Sequence, residues 1–232
     1  MGKIANSQEV SQKSGHRKRT YKKLLNNGYE ALLDYEVVEL MLFLIFKRKD
    51  IKPLAKTLVE KFGTIDKILS ASKDDLVSID GVGEKTFIGI KIMETLVIST
   101  LKSRVINKCA IECFDDVIKY CKIHMKNLLL EEFRVIFLNG ANEVIGDKII
   151  HKGSIDTVNV CPREIVRKCI ENGAKGLILV HNHPSGDPTP STNDVFTTKK
   201  IKAAVDIFNI TIYDHIIIGG NRYVSFKTLK LL

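Results

Sequence analysis

The sequence predicts an α+β protein with two domains, a small all-helical domain followed by an α/β domain. Apolar residues recur at helical spacing up to about residue 103, without strand-like alternation. From residue 131 onward, short runs of β-branched and aromatic residues alternate with helical segments. A length of 232 residues allows one large domain or two small ones. We therefore expect a basic arm at 1–20, a helical domain at 21–103 and an α/β domain at 110–232.

The positive charge is concentrated in the first half of the chain. The formal net charge is +9, and residues 1–105 carry 19 Lys and Arg against 13 Asp and Glu. The arm at 1–20 is polar and basic, so we expect it to be mobile. Nucleic acid, an acidic protein or an anionic membrane surface would be attracted to such a charge, although simple solubility also explains it.

The predicted helices of the first domain begin and end at recognisable signals. Asp34 is expected to cap the first of them, Ser72 to cap a later one, and Gly63 to end the helix between them. The predicted helices are 34–45, 51–63, 64–71, 72–79 and 84–102. The apolar run 37–46 is about half the length of a bilayer span, and no signal peptide is recognisable. We expect a cytoplasmic protein with no membrane segment.

The second domain is predicted as alternating helices and strands. Helices are expected at 113–128, 162–173 and 191–208, and strands at 131–138, 143–153, 154–161, 174–183, 210–220 and 222–226. The five cysteines are an odd number, so we expect reduced thiols in a cytosol.

The stretch "VHNHPSGDPTPSTND", residues 180–194, carries the chemistry of this domain. His181 and His183 project from the same face because side chains alternate along a strand. Asp194 lies in the first turn of the next helix, and two nitrogens with one oxygen suit Zn²⁺ with a fourth position left for water. Ser191 can supply a hydroxyl near this site. The same "STND" also fits a capping box, in which Ser191 caps the helix and Asp194 completes the box without any metal.

This stretch resembles the JAMM metalloprotease motif, His-x-His followed by ten residues and Asp, with Ser three residues before the Asp. The further segments "PREIV", "DHIIIGG" and "YVSF" resemble the RadC family. The resemblance implies a JAMM/MPN fold similar to that of cytidine deaminases. It also implies Zn²⁺ bound by His181, His183 and Asp194, with Ser191 stabilising a tetrahedral intermediate. The implied activity is hydrolysis of a peptide or isopeptide bond in a protein or peptide substrate.

The JAMM pattern also implies an upstream glutamate as general base, at the start of the first strand. Glu131 fits the RadC-like pattern Glu-x-Phe, and its neighbour Glu132 is the alternative candidate for the base. The pair Asp214-His215 lies in the RadC-like segment "DHIIIGG", and we expect it to support the site or the core rather than to bind zinc.

The segment 78–90 resembles a helix-hairpin-helix motif. Gly81 and Gly83 permit a tight turn that directs backbone N–H groups toward a phosphate, and Lys85 adds a positive charge. Such contact with DNA would be non-specific in sequence and sensitive to salt. The motif also serves as a packing device between helices.

Two other functions compete with the zinc hydrolase. One is a DNA-binding accessory protein of repair or recombination, with a structural or idle metal site. The other is a zinc nucleobase deaminase, which the sequence argues against because deaminases carry His-x-Glu and a later Pro-Cys-x-x-Cys.

Overall fold

The computed structural model of the chain describes residues 2–47, 49–153 and 160–232. The chain forms two compact units, Met1–Thr95 and Leu96–Leu232. The division falls within helix α6, Glu84–Val105, whose last turns pack on the core of the second unit through Ile98, Leu101 and Val105.

The first unit is helical throughout its described residues. Its helices are α1 Gly2–Asn27, α2 Asp34–Ile45, α3 Lys52–Phe62, α4 Ile65–Ser70, α5 Lys73–Val77 and the start of α6, with a short 3₁₀ turn at Tyr29–Ala31. The segment predicted as a basic arm is thus helical from Gly2. Near its end, His16 lies 2.8 Å from the buried Glu39 of α2.

The local signals for helix ends hold at two of three predicted positions. Gly63 ends α3 with a positive φ of 82°, and Ser72 caps α5 by accepting a hydrogen bond from the Asp75 amide. The prediction that Asp34 caps α2 is wrong, because Leu33 is the capping residue. The Leu33 amide donates to the Glu36 side chain, so Glu36 supplies the hydrogen-bond acceptor at the start of α2.

The second unit is built on a five-stranded sheet. Its elements are α7 Phe114–Met125, β1 Glu131–Leu138, β2 Val144–Gly153, α8 Pro162–Glu171, β3 Gly176–Asn182, α9 Thr192–Asp206, β4 Thr211–Gly219 and β5 Arg222–Ser225. The strand order is β2-β1-β3-β4-β5, with β3 and β4 parallel and the other pairs antiparallel. The strand predicted at 154–161 lies outside the described residues except for its last two.

Helices cover both faces of this sheet. Along β1, Ile136 and Leu138 pack with α7 on one face, whereas Val135 and Phe137 pack with α8 and α9 on the other. The strand period of two separates these sets, so neighbouring residues of β1 enter different environments.

None of the helices among the described residues is long and apolar enough to cross a bilayer. All five cysteines carry free thiols.

Candidate metal centre

Both candidate histidines lie at the carboxyl end of β3. His181 is the penultimate residue of the strand, and His183 follows it at the start of the loop to α9. Strand β1 runs antiparallel beside β3 with Phe133 opposite His181, so Glu131 at the start of β1 reaches the same edge of the sheet. The loop then returns to place Asp194 in the first turn of α9.

Four side chains converge at this edge. Among the described residues, Glu131, His181, His183 and Asp194 form a group that could hold a metal ion, with ligand atoms all within 4.8 Å of one another. His181 Nε2 lies 3.0 Å from His183 Nε2 and 3.2 Å from Asp194 Oδ1, and His183 Nε2 lies 3.5 Å from Asp194 Oδ2. Tetrahedral zinc ligands, each about 2.1 Å from the ion, lie roughly 3.4 Å from one another. The three side chains therefore have the spacing that a zinc ion requires.

Glu131 stands slightly apart from these three. Its Oε1 lies 3.9 Å from His181 Nε2, and the residue is 5% exposed. Burial raises the pKa of the Glu131 carboxyl and the nearby Asp194 charge adds to this, while the two histidines act in the opposite direction. A carboxylate with a raised pKa beside the cluster suits proton transfer better than an ordinary exposed glutamate does.

Glu132 points to the opposite face of β1. Its Oε1 accepts a hydrogen bond of 2.9 Å from Arg134 Nη2, and Arg134 also pairs with Asp147. Asp147 in turn accepts from Lys102 Nζ at 2.7 Å and from the Tyr120 hydroxyl at 3.1 Å. Glu132 thus belongs to a buried ion-pair network on the α7 side of the sheet, and of the two glutamates only Glu131 is in the cluster.

Asn182, between the two histidines, fixes the start of β1. Its Oδ1 accepts from the Glu132 amide at 2.8 Å, and its Nδ2 donates to the Leu130 carbonyl at 3.2 Å. These bonds hold the residues on either side of Glu131 against β3. Sequence reasoning gave Asn182 no role, because the bonded partners lie about fifty positions away along the chain.

Ser191 and Asp194 form the capping box that the sequence allowed. The Ser191 hydroxyl donates to Asp194 Oδ2 at 2.7 Å and accepts from the Asp194 amide at 3.1 Å. The cap engages Oδ2, whereas Oδ1 faces His181, so capping and metal binding are compatible at this aspartate. The hydroxyl has one hydrogen, and Ser191 must turn it away from Asp194 before it can stabilise an oxyanion.

The electrostatics of the cluster favour an added positive charge. Burial by itself would raise the pKa of Asp194, but hydrogen bonds from His181 and His183 outweigh it and hold that pKa far below its usual range. The hydrogen bond to Asp194 raises the pKa of His183. A bound cation would supply the positive charge that these groups stabilise.

Asp214 and His215 are neighbours in β4, but their side chains contact different parts of the second unit. Asp214 accepts from the Ser225 hydroxyl at 2.6 Å and from the Lys227 amide at 3.0 Å, which braces β5 and the turn after it. His215 is fully buried, and its Nε2 lies 2.8 Å from His181 Nδ1. Burial lowers the pKa of His215 well below its ordinary value.

A cavity of about 220 Å³ adjoins the cluster. Glu131, Phe133, His183, Ser191 and Thr197 contribute to its walls. The candidate base and two of the candidate ligands, His183 and Asp194, thus face a common space that can receive part of a substrate.

The predicted hairpin of the first unit has the expected backbone form. Gly81 has a φ of 87°, which favours glycine, and the Gly83 carbonyl accepts from the amides of Thr86 and Phe87 as α6 begins. Lys85 is exposed in the first turn of α6. Glu84 pairs with Lys73 at 3.4 Å, which offsets part of the negative charge beside the hairpin.

Comparison with known proteins gives two family matches and a close relative. Residues 111–231 match the family described as RadC-like JAB domain, and residues 52–94 match the helix-hairpin-helix motif. A UPF0758 protein of Ruegeria pomeroyi is 40% identical over 212 residues, which span 91% of this chain and 95% of that protein.

Proposed function

The chain belongs to the RadC family, and from this premise we propose that it is a zinc-dependent metallopeptidase or isopeptidase of JAMM type. The observation that carries the proposal is the set of contacts of 3.0–3.5 Å among the side chains of His181, His183 and Asp194, with a buried glutamate beside them. The substrate class is a peptide or a protein with a peptide or isopeptide bond.

The donor set fits zinc better than magnesium or calcium. His181 and His183 offer imidazole nitrogens and Asp194 offers one carboxylate oxygen, whereas the harder cations prefer oxygen alone. When bound, zinc supplies a Lewis acid that polarises a carbonyl and lowers the pKa of water to about 7.

Glu131 and Ser191 would manage the proton and the developing charge. Glu131 takes a proton from the attacking water and later passes it to the leaving amine, a task aided by its raised pKa. Ser191, at the wall of the same cavity, donates its hydroxyl hydrogen to the oxyanion once it leaves Asp194.

Two finer assignments belong to this proposal. A cytidine deaminase-like arrangement of the second unit follows from the family resemblance. A cytoplasmic location is supported by five free thiols, the ordinary state of cysteine in a reducing compartment.

Metal removal tests the hydrolase directly. We expect the wild-type protein to bind about one zinc per chain, since three side-chain ligands form one tetrahedral site whose fourth position is left for water. Dialysis against a chelator should abolish cleavage of proteome-derived peptides in a mass-spectrometric degradation screen, and added zinc should restore it. Cleavage that survives complete metal removal would contradict the proposal, as would a protein without measurable zinc affinity.

DNA binding through the first unit is a second candidate function. It is favoured by the helix-hairpin-helix match at 52–94. It is also favoured by the positive φ of Gly81, which permits the tight turn that such a hairpin needs. Gly81 and Gly83 would let backbone amides approach a phosphate, and Lys85 would neutralise it. This contact would be compatible with hydrolysis by the second unit.

We expect the substitution Lys85→Ala to weaken binding to duplex DNA and to reduce the slope of log affinity against log salt by about 1, the loss of one phosphate contact. Titration at several salt concentrations measures this slope. Lys168→Ala is the control, because it removes an equal charge from α8 of the second unit, where Lys168 pairs with Glu171. Equal effects of the two substitutions would exclude the hairpin as the contact, and a flat salt response of the wild type would exclude electrostatic DNA binding altogether.

A further inference from the structure

A chain of hydrogen bonds runs behind His181, away from the cavity. His181 Nδ1 lies 2.8 Å from His215 Nε2, His215 Nδ1 lies 2.6 Å from Thr198 Oγ1, and Thr198 Oγ1 lies 2.6 Å from the Asp194 carbonyl oxygen. All three side chains are at most 1% exposed. The chain begins at the backbone of one candidate ligand and ends at the ring of another.

The direction of each hydrogen bond follows from what its partners can donate. A backbone carbonyl only accepts, so the Thr198 hydroxyl donates its single hydrogen to Asp194. The Thr198 oxygen then accepts from His215 Nδ1–H, which leaves Nε2 of a neutral His215 ring as an acceptor. His181 Nδ1 must therefore donate to His215, which leaves Nε2 as the His181 nitrogen that faces Asp194 and His183.

The surroundings of His215 suit a neutral ring. The Phe133 and Phe226 rings lie 5.6 and 4.5 Å from it, centroid to centroid. His183 also carries a proton on Nδ1, since this nitrogen lies 2.8 Å from the Asp187 carbonyl and must donate to it. Both imidazoles thus turn Nε2 toward Asp194, with His181 Nε2 3.2 Å from Oδ1 and His183 Nε2 3.5 Å from Oδ2.

We propose that Thr198 and His215 are positioning residues that keep a proton on Nδ1 of His181, so that Nε2 is the nitrogen turned toward a bound cation. The identity of that cation rests on the proposed function, whereas the proton on His181 Nδ1 is a property of the metal-free protein. Helix α9 would accordingly supply one ligand through Asp194 and orient a second through Thr198.

The tautomer can be read directly from ¹⁵N chemical shifts of the histidine rings in the metal-free wild-type protein. We expect His181 to carry a proton on Nδ1. An Nδ1 without a proton would overturn the proposal, whatever the activity of the enzyme proves to be. If the tautomer is as expected and no hydrolysis is found, the positioning role stands and only the proposed function fails.

A matched pair of substitutions tests the role of the hydroxyl. Thr198→Val keeps the shape and removes the oxygen, so we expect a mixture of His181 tautomers and a zinc affinity about 10–100-fold weaker, as for other residues that orient metal ligands. Thr198→Ser keeps the oxygen and should preserve both the tautomer and the affinity. Thermal unfolding of each variant verifies the fold.

A second pair covers the case in which Thr198→Val does not fold. His215→Gln retains an amide oxygen that can accept from His181 Nδ1–H, whereas His215→Leu has no acceptor. We expect zinc affinity to be kept better by glutamine than by leucine. Equal affinities and unchanged tautomers in both members of the folded pair would overturn the proposal.

Discussion

Replacing His183 with alanine is expected to lower the zinc affinity by more than about 100-fold, because loss of a residue that only orients a ligand already costs up to that factor. The substitution removes one of three candidate donors, 3.0 Å from His181 Nε2 and 3.5 Å from Asp194 Oδ2. Zinc-dependent cleavage should be lost with it. Competition with a chromophoric chelator measures the affinity of the two proteins.

His183 is the best ligand to remove because its loss costs the fold little. Its side chain is 14% exposed, and it lies just past the end of β3, whereas His181 is within the strand and buried. His16→Ala is a suitable control, since it removes an imidazole from the first unit and leaves the cluster intact. Equal zinc affinities in wild type, His183→Ala and His16→Ala would leave the capping box as the only role of this stretch.

Glu131→Gln is expected to reduce the rate of hydrolysis by about 10²–10⁴-fold, the usual contribution of a general acid–base group. Glutamine has nearly the same shape but cannot take a proton from water. Zinc affinity should change much less than in His183→Ala, because Glu131 Oε1 lies 3.9 Å from the nearest ligand nitrogen. Steady-state cleavage of a substrate from the degradation screen, with zinc content measured in parallel, separates the two effects.

Glu132→Gln provides a matched control one residue away. Glu132 pairs with the buried Arg134, so its replacement should lower the unfolding temperature and leave the rate of cleavage by the folded protein nearly unchanged. If Glu132→Gln removed the activity and Glu131→Gln did not, the base would have been assigned to the wrong face of β1. If both variants were as active as the wild type, neither glutamate would be the general base.

Much of the local structure was predictable from the sequence. Gly63 and Ser72 mark helix ends through backbone preference and side-chain capping, which depend on a few neighbouring residues. The positions of His181 and His183 on one face follow from the strand period alone. Asp34 was wrongly predicted to cap α2, because the Glu36 side chain accepts from the Leu33 amide instead. An acidic residue that caps a helix and one that lies in its first turn look alike in a sequence.

The sequence alone determined the two-part α+β organisation, the types of the described helices and strands from α2 onward, and the ligand set His181, His183 and Asp194 as a zinc hypothesis. Periodicity, turn signals and residue chemistry are local, so they can be read along the chain. Only the tertiary structure decided which glutamate joins the cluster, because strand pairing of Phe133 with His181 sets the side of the sheet that Glu131 faces. It also decided that Asn182 secures the start of β1 and that Thr198 and His215 stand behind His181. Those contacts join residues 17 to 50 positions apart, and folding alone brings them within hydrogen-bond distance.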